Sequence, residues 1–270
     1  MINIDLHNHL GRNGANPGFD ETIDIAYNSL GQGGIFGICN DGPVDHRYEN
    51  FINQEGGKYE RVPTGDEKRA VYILNKDITV VGVEEVEPKQ GHFLVVGMPE
   101  NKKIWTDKNP PTLEDALKKA DDFGYNARIV VHPIGNFGLA DYLINNPRLF
   151  EQFDGWEVYN ASAALPVPKF IPLKANQTSM AYYINSVQQH GLGACAFTDG
   201  HSAGVIGRSY TQIPDFVKIT FEDTENFIEF LRQGIKSNKN IENLHMKPAK
   251  LDALKHCVYM GLNMVFGSPI

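Results

Sequence analysis

Long apolar runs are missing from this sequence of 270 residues, and so is a surplus of basic residues. No stretch reaches the roughly 18 to 20 apolar residues that a bilayer-spanning helix needs, and the first residues lack the basic start and apolar core of a signal peptide. The 25 Lys and Arg against 33 Asp and Glu give a formal net charge of −8. We therefore expect a cytoplasmic chain with no membrane partner and no overall basic field to hold long nucleic acid.

Cysteine is also scarce. Cys39, Cys195 and Cys257 are odd in number and far apart, which excludes a disulfide framework and predicts buried thiols. What remains is an ordinary globular balance, with 41% hydrophobic and 21% charged residues. Such a composition excludes disorder and predicts a substantial core.

Short apolar segments alternate with amphipathic stretches of helical length. Strands are predicted at about 2–6, 34–39, 78–86, 92–97, 127–132, 155–159, 194–198 and 216–221. Helical spacing covers 20–30, 65–75, 112–123, 174–189 and 223–233. This repetition favours a parallel α/β architecture, closed into a barrel or left as an open sheet.

The sequence contains no long linker and no internal repeat, so we expect one domain over 1–270, with a core at about 2–236. The tail is polar to about Lys250 and then helical over 251–260. The segments 41–63 and 133–147, rich in Gly, Asn and Pro, are predicted to be loops long enough to carry a site.

The first predicted strand places two histidines on one side of the chain. Its apolar residues alternate with polar ones, so we expect Ile2, Ile4 and Leu6 to pack outward under helices. His7 and His9 then point the same way at the carboxyl end of the strand. Two such imidazoles can bind one divalent metal, and nitrogen ligands suit zinc, iron or manganese.

Other predicted strands begin or end at residues of the same chemistry. Taken singly, each fits an ordinary role as a turn residue, an exposed carboxylate or a hydrogen-bonded histidine. Taken together they favour a metal site at one rim of the fold, because six strand ends deliver metal-binding types. The residues concerned, besides His7 and His9, are Asp41, Glu84, His92, His132, Asp199 and His201.

Five segments resemble, in order and spacing, the motifs of the PHP (polymerase and histidinol phosphatase) family over about residues 2 to 236. They are Asp5-Leu6-His7-Asn8-His9, Gly34-Ile35-Phe36-Gly37-Ile38-Cys39-Asn40-Asp41, Gly82-Val83-Glu84, His132-Pro133 and Thr198-Asp199-Gly200-His201. The segments around His92 and Gly207-Arg208-Ser209-Tyr210-Thr211 are also similar. The resemblance implies a distorted (β/α)7 barrel with two or three metal ions at the carboxyl ends of the strands.

The resemblance also implies a ligand set. His7, His9, Glu84 and Asp199 would hold the first metal, and Glu84 would bridge to a second metal held by His92 and His132. A third site would use Asp41 and His201, but Asp41 stands where the family commonly has histidine. The region between Gly11 and Gly18 supplies only Arg12, Asn13 and Asn16 as a further donor. The third site is therefore incomplete in this sequence.

The chemistry implied is hydrolysis of a phosphate ester of a small metabolite or nucleotide by a metal-activated hydroxide. Asp199 and His201 are the candidate catalytic residues, His201 as a general acid if no third metal binds. Arg208 is the candidate phosphate contact, with Arg12 and His46 as weaker ones. Asp5 shares the predicted face of His7 and is a candidate hydrogen-bond acceptor for a histidine ligand.

Two other readings fit the same residues. The first is a barrel amidohydrolase that cleaves a C–N bond, since that class also uses His-X-His after its first strand and Asp after its last. The second is a non-catalytic domain that binds metals for structure or regulation. The sequence leaves open the substrate, the metal among manganese, iron and zinc, and the oligomeric state.

Overall fold

The structure, a computed structural model, describes residues 1–11, 18–42, 44–65, 67–106, 109–135, 137–164, 175–214 and 223–249. Within these ranges one mixed sheet of eleven strands forms the centre of the molecule. Its strands are β1 (Ile2–Asp5), β2 (Ile35–Asp41), β3 (Arg61–Pro63), β4 (Ala70–Ile73), β5 (Ile78–Val86), β6 (Phe93–Val96), β7 (Ala127–Val130), β8 (Gly155–Asn160), β9 (Gly193–Phe197), β10 (Ser209–Ile213) and β11 (Leu244–Met246).

Helices connect many of these strands and cover the sheet. They are α1 (Phe19–Leu30), α2 (Arg47–Ile52), α3 (Leu113–Asp122), α4 (Ala140–Asn145), α5 (Ala175–Tyr182) and α6 (Thr224–Ser237). Helix α3 begins as its sequence predicts, because the Thr112 side chain accepts a hydrogen bond from the Asp115 backbone N–H at 3.2 Å. Its apolar residues are buried against the sheet, and its charged residues face outward.

The sheet curves into a nearly closed barrel. The strand order is β11-β10-β1-β2-β5-β6-β7-β8-β9, and β1, β2, β5, β7, β8 and β9 run parallel. Strand β6 runs antiparallel between β5 and β7, and β10 runs antiparallel beside β1. The end strand β9 approaches β1 where Asn8 bridges to Gly200 and the Thr198 backbone N–H donates to Asp5 at 3.0 Å. The predicted distorted α/β barrel is thus confirmed.

One predicted helix is wrong. The segment 65–75 contains strand β4, which pairs antiparallel with β5 and with the short strand β3. Val71, Tyr72 and Ile73 are β-branched or aromatic residues that suit a pleated surface, and pairing with β5 overrides the weak helical spacing. The predicted strand at 216–221 and the predicted helix at 251–260 lie outside the described residues.

Strand β1 presents the opposite face from the one predicted. Ile4 and Leu6 belong to the same buried cluster as Val83 and Phe197, and the Asn3 side chain donates to the Leu30 carbonyl at the end of α1. The polar residue therefore faces the helix and the apolar residues face the barrel interior. Below the strand ends the barrel interior is apolar, as is the face covered by helices. The alternation of apolar and polar residues alone therefore does not show which face of β1 points inward.

Helix α6 packs across the amino-terminal ends of several strands and closes that end of the barrel. Phe227, Ile228, Leu231 and Ile235 join the interior cluster. A Cβ at Gly193 would overlap the Ile235 carbonyl, so the first residue of β9 must be glycine for the helix to approach this closely. The opposite end of the barrel, where the parallel strands end, is lined by the polar residues described below.

Two further sequence expectations concern cysteine and membranes. Cys39 and Cys195 are buried free thiols, as predicted, and Cys257 lies outside the described residues. Among the helices that the structure describes, none combines the length and the hydropathy required to cross a bilayer.

Candidate metal centre

Glu85, at the end of β5, lies in the middle of a cluster of histidines. Its Oε1 atom is 3.0 Å from His92 Nδ1 and 2.8 Å from His132 Nε2. Its Oε2 atom is 3.1 Å from His9 Nε2 and 3.7 Å from His7 Nε2. The carboxylate therefore faces a different pair of imidazoles with each oxygen, which is the arrangement of a carboxylate that bridges two cations.

His7 and His9 follow β1 and share a second carboxylate. Asp199 Oδ1 is 3.5 Å from His7 Nε2 and 3.4 Å from His9 Nε2. Both imidazoles thus direct Nε2 toward the space between Glu85 and Asp199. Two nitrogens and two carboxylate oxygens converging in this way form a donor set suited to zinc, iron or manganese.

Each of these histidines has another carboxylate beside its Nδ1 atom. His7 Nδ1 lies 3.4 Å from Glu157 Oε1, and His9 Nδ1 lies 2.7 Å from Asp41 Oδ1. Metal-binding histidines commonly donate their second N–H to such an acceptor, which fixes the tautomer and the ring orientation. Glu157 occupies that position for His7, whereas His9 Nδ1 makes no hydrogen bond with any residue that the structure describes.

Glu157 and Asn160, both on β8, connect several of these groups. Glu157 Oε2 accepts hydrogen bonds from the His132 backbone N–H at 2.6 Å and from Asn160 Nδ2 at 3.2 Å. Asn160 Nδ2 also donates to Asp199 Oδ2 at 3.1 Å. Glu157 is buried and contacts His7 and His132 directly, and Asn160 extends the connection to Asp199. The two β8 residues therefore hold groups that follow three different strands in fixed relative positions.

The backbone is strained at two residues of this cluster. His132 has φ of 28° and Asp199 has φ of 53°, values that side chains larger than glycine rarely adopt. Each lies two positions after the last residue of a parallel strand. A strained turn at a strand end that points a potential ligand into a shared space is typical of a functional site, because such strain persists only where the surroundings hold it.

The buried histidines and carboxylates of the cluster shift one another's pKa values. Burial alone would lower the pKa of His7, but the carboxylates of Asp199, Glu157 and Glu85 raise it well above its usual value. Burial would raise the pKa of Glu85, but His132, His7 and His9 hold it well below its usual value. These buried carboxylates therefore require positive charge beside them, which either protons or metal ions can supply.

His201 lies at the same rim. Its ring stacks on His9 with 5.2 Å between ring centroids, and the side chain is buried. It forms a candidate ligand group with His9 and Asp199, whose donor atoms lie within 4.8 Å of one another. The same holds for the groups His7, Glu85 and His132; His9, Asp41 and Glu85; and His7, His9 and Cys39.

The residues fit divalent metal ions. His7 Nε2 is a buried nitrogen without a hydrogen-bond partner, and it faces two carboxylates at distances too long for good hydrogen bonds. A cation between them would satisfy this nitrogen and both oxygens together. The mixed nitrogen and oxygen donors agree with that assignment.

Most of the predicted site residues come together. They are His7, His9, Asp41, His92, His132, Asp199 and His201, each joined to another member by the distances above. Glu84 is the exception. Its carboxylate accepts hydrogen bonds from the Ile104 and Trp105 backbone N–H groups, at 2.9 Å and 3.3 Å, on the helix-covered face of β5. The predicted placement of Glu84 among the histidines is therefore wrong, and Glu85 lies there instead.

The physical reason is the period of two in a strand. In the pairing of β2 with β5, Asp41 lies opposite Glu85, whereas Asn40 lies opposite Glu84. The Asn40 side chain donates to Glu49 of α2 at 3.0 Å, so this pair faces outward. The motif Gly82-Val83-Glu84 located the right strand end but gave no signal for which of two adjacent glutamates turns inward.

Asp5 does not contact the histidine that it was expected to orient. It accepts hydrogen bonds from the backbone N–H groups of Thr198 at 3.0 Å and Gly207 at 2.8 Å. Burial raises the pKa of Asp5 to about 6, against the effect of these bonds. Asp5 thus connects β1 to the segments that carry Asp199 and Arg208. The hydrogen-bond acceptor of His7 is Glu157 and not, as predicted, Asp5.

The predicted substrate contacts are less tightly placed. Arg208 is exposed and directly precedes β10, and His46 lies 3.9 Å from Glu49 rather than beside a cluster histidine. Arg12 lies outside the described residues. Sequence reasoning missed Glu157 and Asn160, although both lie at the end of the predicted strand 155–159.

A comparison with solved structures finds proteins with a similar fold. The chain overlaps PsfC from Pseudomonas syringae PB-5123 with a TM-score of 0.55 at 13% sequence identity, over 98% of this chain and 99% of that one. No family model matches the chain. No curated protein sequence matches it.

Two further solved structures overlap less closely. A two-domain protein from Bacteroides vulgatus, which contains a predicted PHP-like metal-dependent phosphoesterase, gives a TM-score of 0.49 at 11% identity, over 90% of this chain and 63% of that one. A protein from Bifidobacterium adolescentis named as a candidate metal-dependent phosphoesterase gives 0.42 at 9% identity, over 86% and 96% of the two chains. Overlaps at these TM-scores carry no conclusion about this chain.

Proposed function

We propose that this protein is a metal-dependent hydrolase that cleaves a phosphate ester of a small phosphorylated substrate, as members of the PHP family do. One observation carries the proposal: Glu85 divides its two oxygens between His7 and His9 on one side and His92 and His132 on the other. A shared carboxylate of this kind fits two adjacent divalent cations, with manganese, iron and zinc all compatible with the donors.

The ligands divide into two sets. His7, His9, Glu85 and Asp199 would hold one ion, and Glu85, His92 and His132 would hold the other. Bound there, the two ions would supply positive charge to neutralise a phosphoryl group and lower the pKa of water toward neutrality. Glu157 would keep the His7 imidazole oriented, and Asn160 would keep the outer oxygen of Asp199 occupied so that Oδ1 faces the centre.

The remaining roles fall to residues at the rim. His201 stacks on His9 beside Asp199, so it would be placed to donate a proton to the departing oxygen, while Asp199 would act through the first ion that it helps to hold. Arg208 precedes β10, whose first residues lie beside the carboxyl end of β1 because the two strands are antiparallel. Its exposed guanidinium is available to pair with phosphate oxygens.

The test is a substrate panel. Purified protein is assayed with nitrophenyl phosphate, bis-nitrophenyl phosphate and N-acyl substrates, with added manganese and with a chelator. We expect hydrolysis of a phosphate ester that the chelator abolishes and manganese restores. Chelator-insensitive hydrolysis would exclude the metal mechanism. Hydrolysis of the N-acyl substrates alone would favour an amidohydrolase, and metal binding without turnover on any substrate would favour a non-catalytic domain.

A further inference from the structure

Phe137, in the loop that follows β7, is an exposed aromatic residue beside the candidate metal centre. It is 64% exposed, yet its ring lies against the ring of His92, with 5.2 Å between the ring centroids and 30° between the ring planes. His92 in turn contacts Glu85, with Nδ1 3.0 Å from Oε1. Glu85 is buried and His92 is mostly buried, so the three side chains lead from the interior of the centre to solvent. Phe137 therefore lies at the entrance of the centre.

The backbone holds Phe137 in this position. Its carbonyl accepts a hydrogen bond from the His92 backbone N–H at 2.9 Å, and within the loop the Ala140 N–H donates to the Pro133 carbonyl at 3.0 Å. A Cβ at Gly138 would lie 2.0 Å from the Pro133 carbonyl oxygen, so the turn directly after Phe137 is too tight for any residue but glycine. The ring is therefore presented by a compact turn with a defined backbone.

Packing of the loop does not require this ring. Leu139 is fully buried and Ile134 packs against the same core, so these two residues supply the apolar contacts of the segment. Tyr142, the other aromatic residue of 133–147, donates its hydroxyl to Glu114 of α3 at 2.7 Å. Phe137, in contrast, leaves most of its apolar surface in water, and a bound apolar group would gain free energy by covering it.

The chemistry of the ring selects the kind of group that it can bind. A phenyl ring has no hydrogen-bond donor or acceptor, so it does not bind the phosphoryl oxygens, which the proposed ions would neutralise. It offers a flat π surface, on which a second aromatic ring packs in an offset or tilted arrangement with a gain beyond that of its buried area. His92 already contacts Phe137 in a tilted arrangement, and the exposed remainder of the ring is available to another ring.

We propose that Phe137 is a specificity-determining residue, and that it stacks on an aromatic or heteroaromatic ring carried by the alcohol part of the phosphorylated substrate. The inference rests on the proposed function, because it places a phosphate ester at the metal centre, and it goes further by naming the class of alcohol. Phe137 contacts the organic part of the substrate and takes no part in breaking the ester bond. Recognition of the ring is therefore measurable without turnover.

The experiment measures the binding of compounds that contain no ester bond. Phenylpropylphosphonate and cyclohexylpropylphosphonate share a phosphonate, a chain length and a ring of the same size, but only the first ring is aromatic. Isothermal titration calorimetry on the full-length protein loaded with Mn²⁺ gives the Kd of each compound. Mass spectrometry gives the metal content of every protein tested.

The variants change the ring in three ways. Phe137→Ala removes it, Phe137→Leu keeps an apolar side chain without a ring, and Phe137→Trp keeps an aromatic one. Tyr125→Ala is the matched control, because Tyr125 is also an exposed aromatic residue but lies before β7, at the opposite end of that strand from Phe137.

We expect the wild type and Tyr125→Ala to bind the aromatic phosphonate about 3-fold to 10-fold more tightly than the cyclohexyl compound. The preference should disappear in Phe137→Ala and Phe137→Leu and return in Phe137→Trp, with the metal content unchanged in every variant. No preference in the wild type, or a preference that survives in Phe137→Ala, would overturn the proposal. Loss of metal in Phe137→Ala would also overturn it, because Phe137 would then act by supporting His92.

Kinetics distinguish two sources of the ring. We would measure kcat/KM for phenylethyl phosphate and for adenosine 5′-monophosphate, and the larger value identifies either an arylalkyl ester or a nucleotide as the better substrate. In Phe137→Ala the KM for the better substrate should rise while kcat stays similar, and an unchanged KM would contradict the proposal.

The same measurements separate this inference from the proposed reaction. Hydrolysis of phosphate esters without any preference for the aromatic phosphonate would leave the proposed function standing and reject the role of Phe137. An aromatic preference in binding, without hydrolysis of any phosphate ester, would reject the proposed reaction and leave the aromatic site standing.

Discussion

Glu84 and Glu85 are neighbours on β5, yet their carboxylates lie on opposite faces of the strand. Glu85 faces the barrel interior among four histidines, and Glu84 accepts hydrogen bonds from the backbone of Ile104 and Trp105. Adjacent residues of a strand point to opposite faces. Glu85 therefore lies among the histidines, whereas Glu84 binds the backbone of a loop on the other side of the strand.

This pair offers a matched test of the metal centre. Glu85→Gln should lose bound metal and reduce hydrolysis by about 100-fold or more, because one oxygen of the shared carboxylate becomes an amide nitrogen that cannot bind a cation. Glu84→Gln should keep both ions, since it is turned away from the histidines. Metal content by mass spectrometry and the rate on nitrophenyl phosphate measure both effects. The opposite pattern, with Glu84→Gln losing metal, would return the bridge to Glu84.

Glu157 is expected to control the centre without binding metal. Glu157→Ala removes the partner of His7 Nδ1 and of the His132 backbone N–H, so metal affinity should fall by about 10-fold to 100-fold. Glu157→Gln retains an acceptor oxygen and should lose less. Co²⁺ titration measures the affinity, and thermal unfolding in chelator checks that both variants fold. Equal loss in Gln and Ala would instead place Glu157 among the metal ligands.

His201 should matter most when the leaving group is poor. A His201→Asn variant is expected to lose far more activity on alkyl phosphates than on nitrophenyl phosphate, because nitrophenolate departs without a proton. The ratio of kcat/KM for the two substrates, measured for variant and wild type, reports this difference. Equal losses on both substrates, with metal content unchanged, would count against a proton-donor role.

Asp24 of α1 predicts a pH-dependent contribution to stability far from the centre. It pairs with Lys76 at 2.7 Å and Lys58 at 3.0 Å and accepts a hydrogen bond from Tyr59. These partners, Lys76 first, hold the pKa of Asp24 below its usual value. Because the folded-state pKa lies below the unfolded one, the contribution is present above the unfolded pKa and is lost as the pH falls through the folded pKa.

Asp24→Asn should therefore lower Tm at neutral pH by up to about 4 °C, a small effect because the side chain is partly exposed. The difference from the wild type should shrink at about pH 3 and below. Thermal unfolding of both proteins across this range makes the comparison. A difference in Tm that stays constant with pH would show that the charge of Asp24 is not its cause.

Gly193 tests the closure of the barrel by α6. Gly193→Ala places a Cβ against the Ile235 carbonyl, and backbone cannot move aside as a flexible side chain can, so we expect a loss of about 1–3 kcal/mol in the free energy of unfolding. Gly204→Ala is the control, since a Cβ there meets open space. Denaturant unfolding measures both. Equal stabilities of the two variants would mean that α6 accommodates the extra methyl.

Much of the architecture could be predicted from the sequence. The spacing of apolar residues gave most strands and helices within a few residues, because burial on a sheet or on a helix imposes a period that the chain itself must carry. The helix over 113–122 was predicted, as 112–123, from its helical spacing of apolar residues after Thr112. The failures were β4, where pairing with β5 outweighed local spacing, and the facing of β1, where both sides of the strand are buried.

The sequence by itself determined the strands, the order of the motifs and the residue types that arrive at the rim, since hydropathy and side-chain chemistry are local properties. Only the tertiary structure decided that Glu85 turns inward and Glu84 outward, that Glu157 contacts His7, and that Arg47 pairs with Asp41 beside His9. Those relationships depend on strand register and on contacts between segments up to 150 positions apart, as for His7 and Glu157. A local pattern cannot encode them, because they follow from the geometry of the closed barrel.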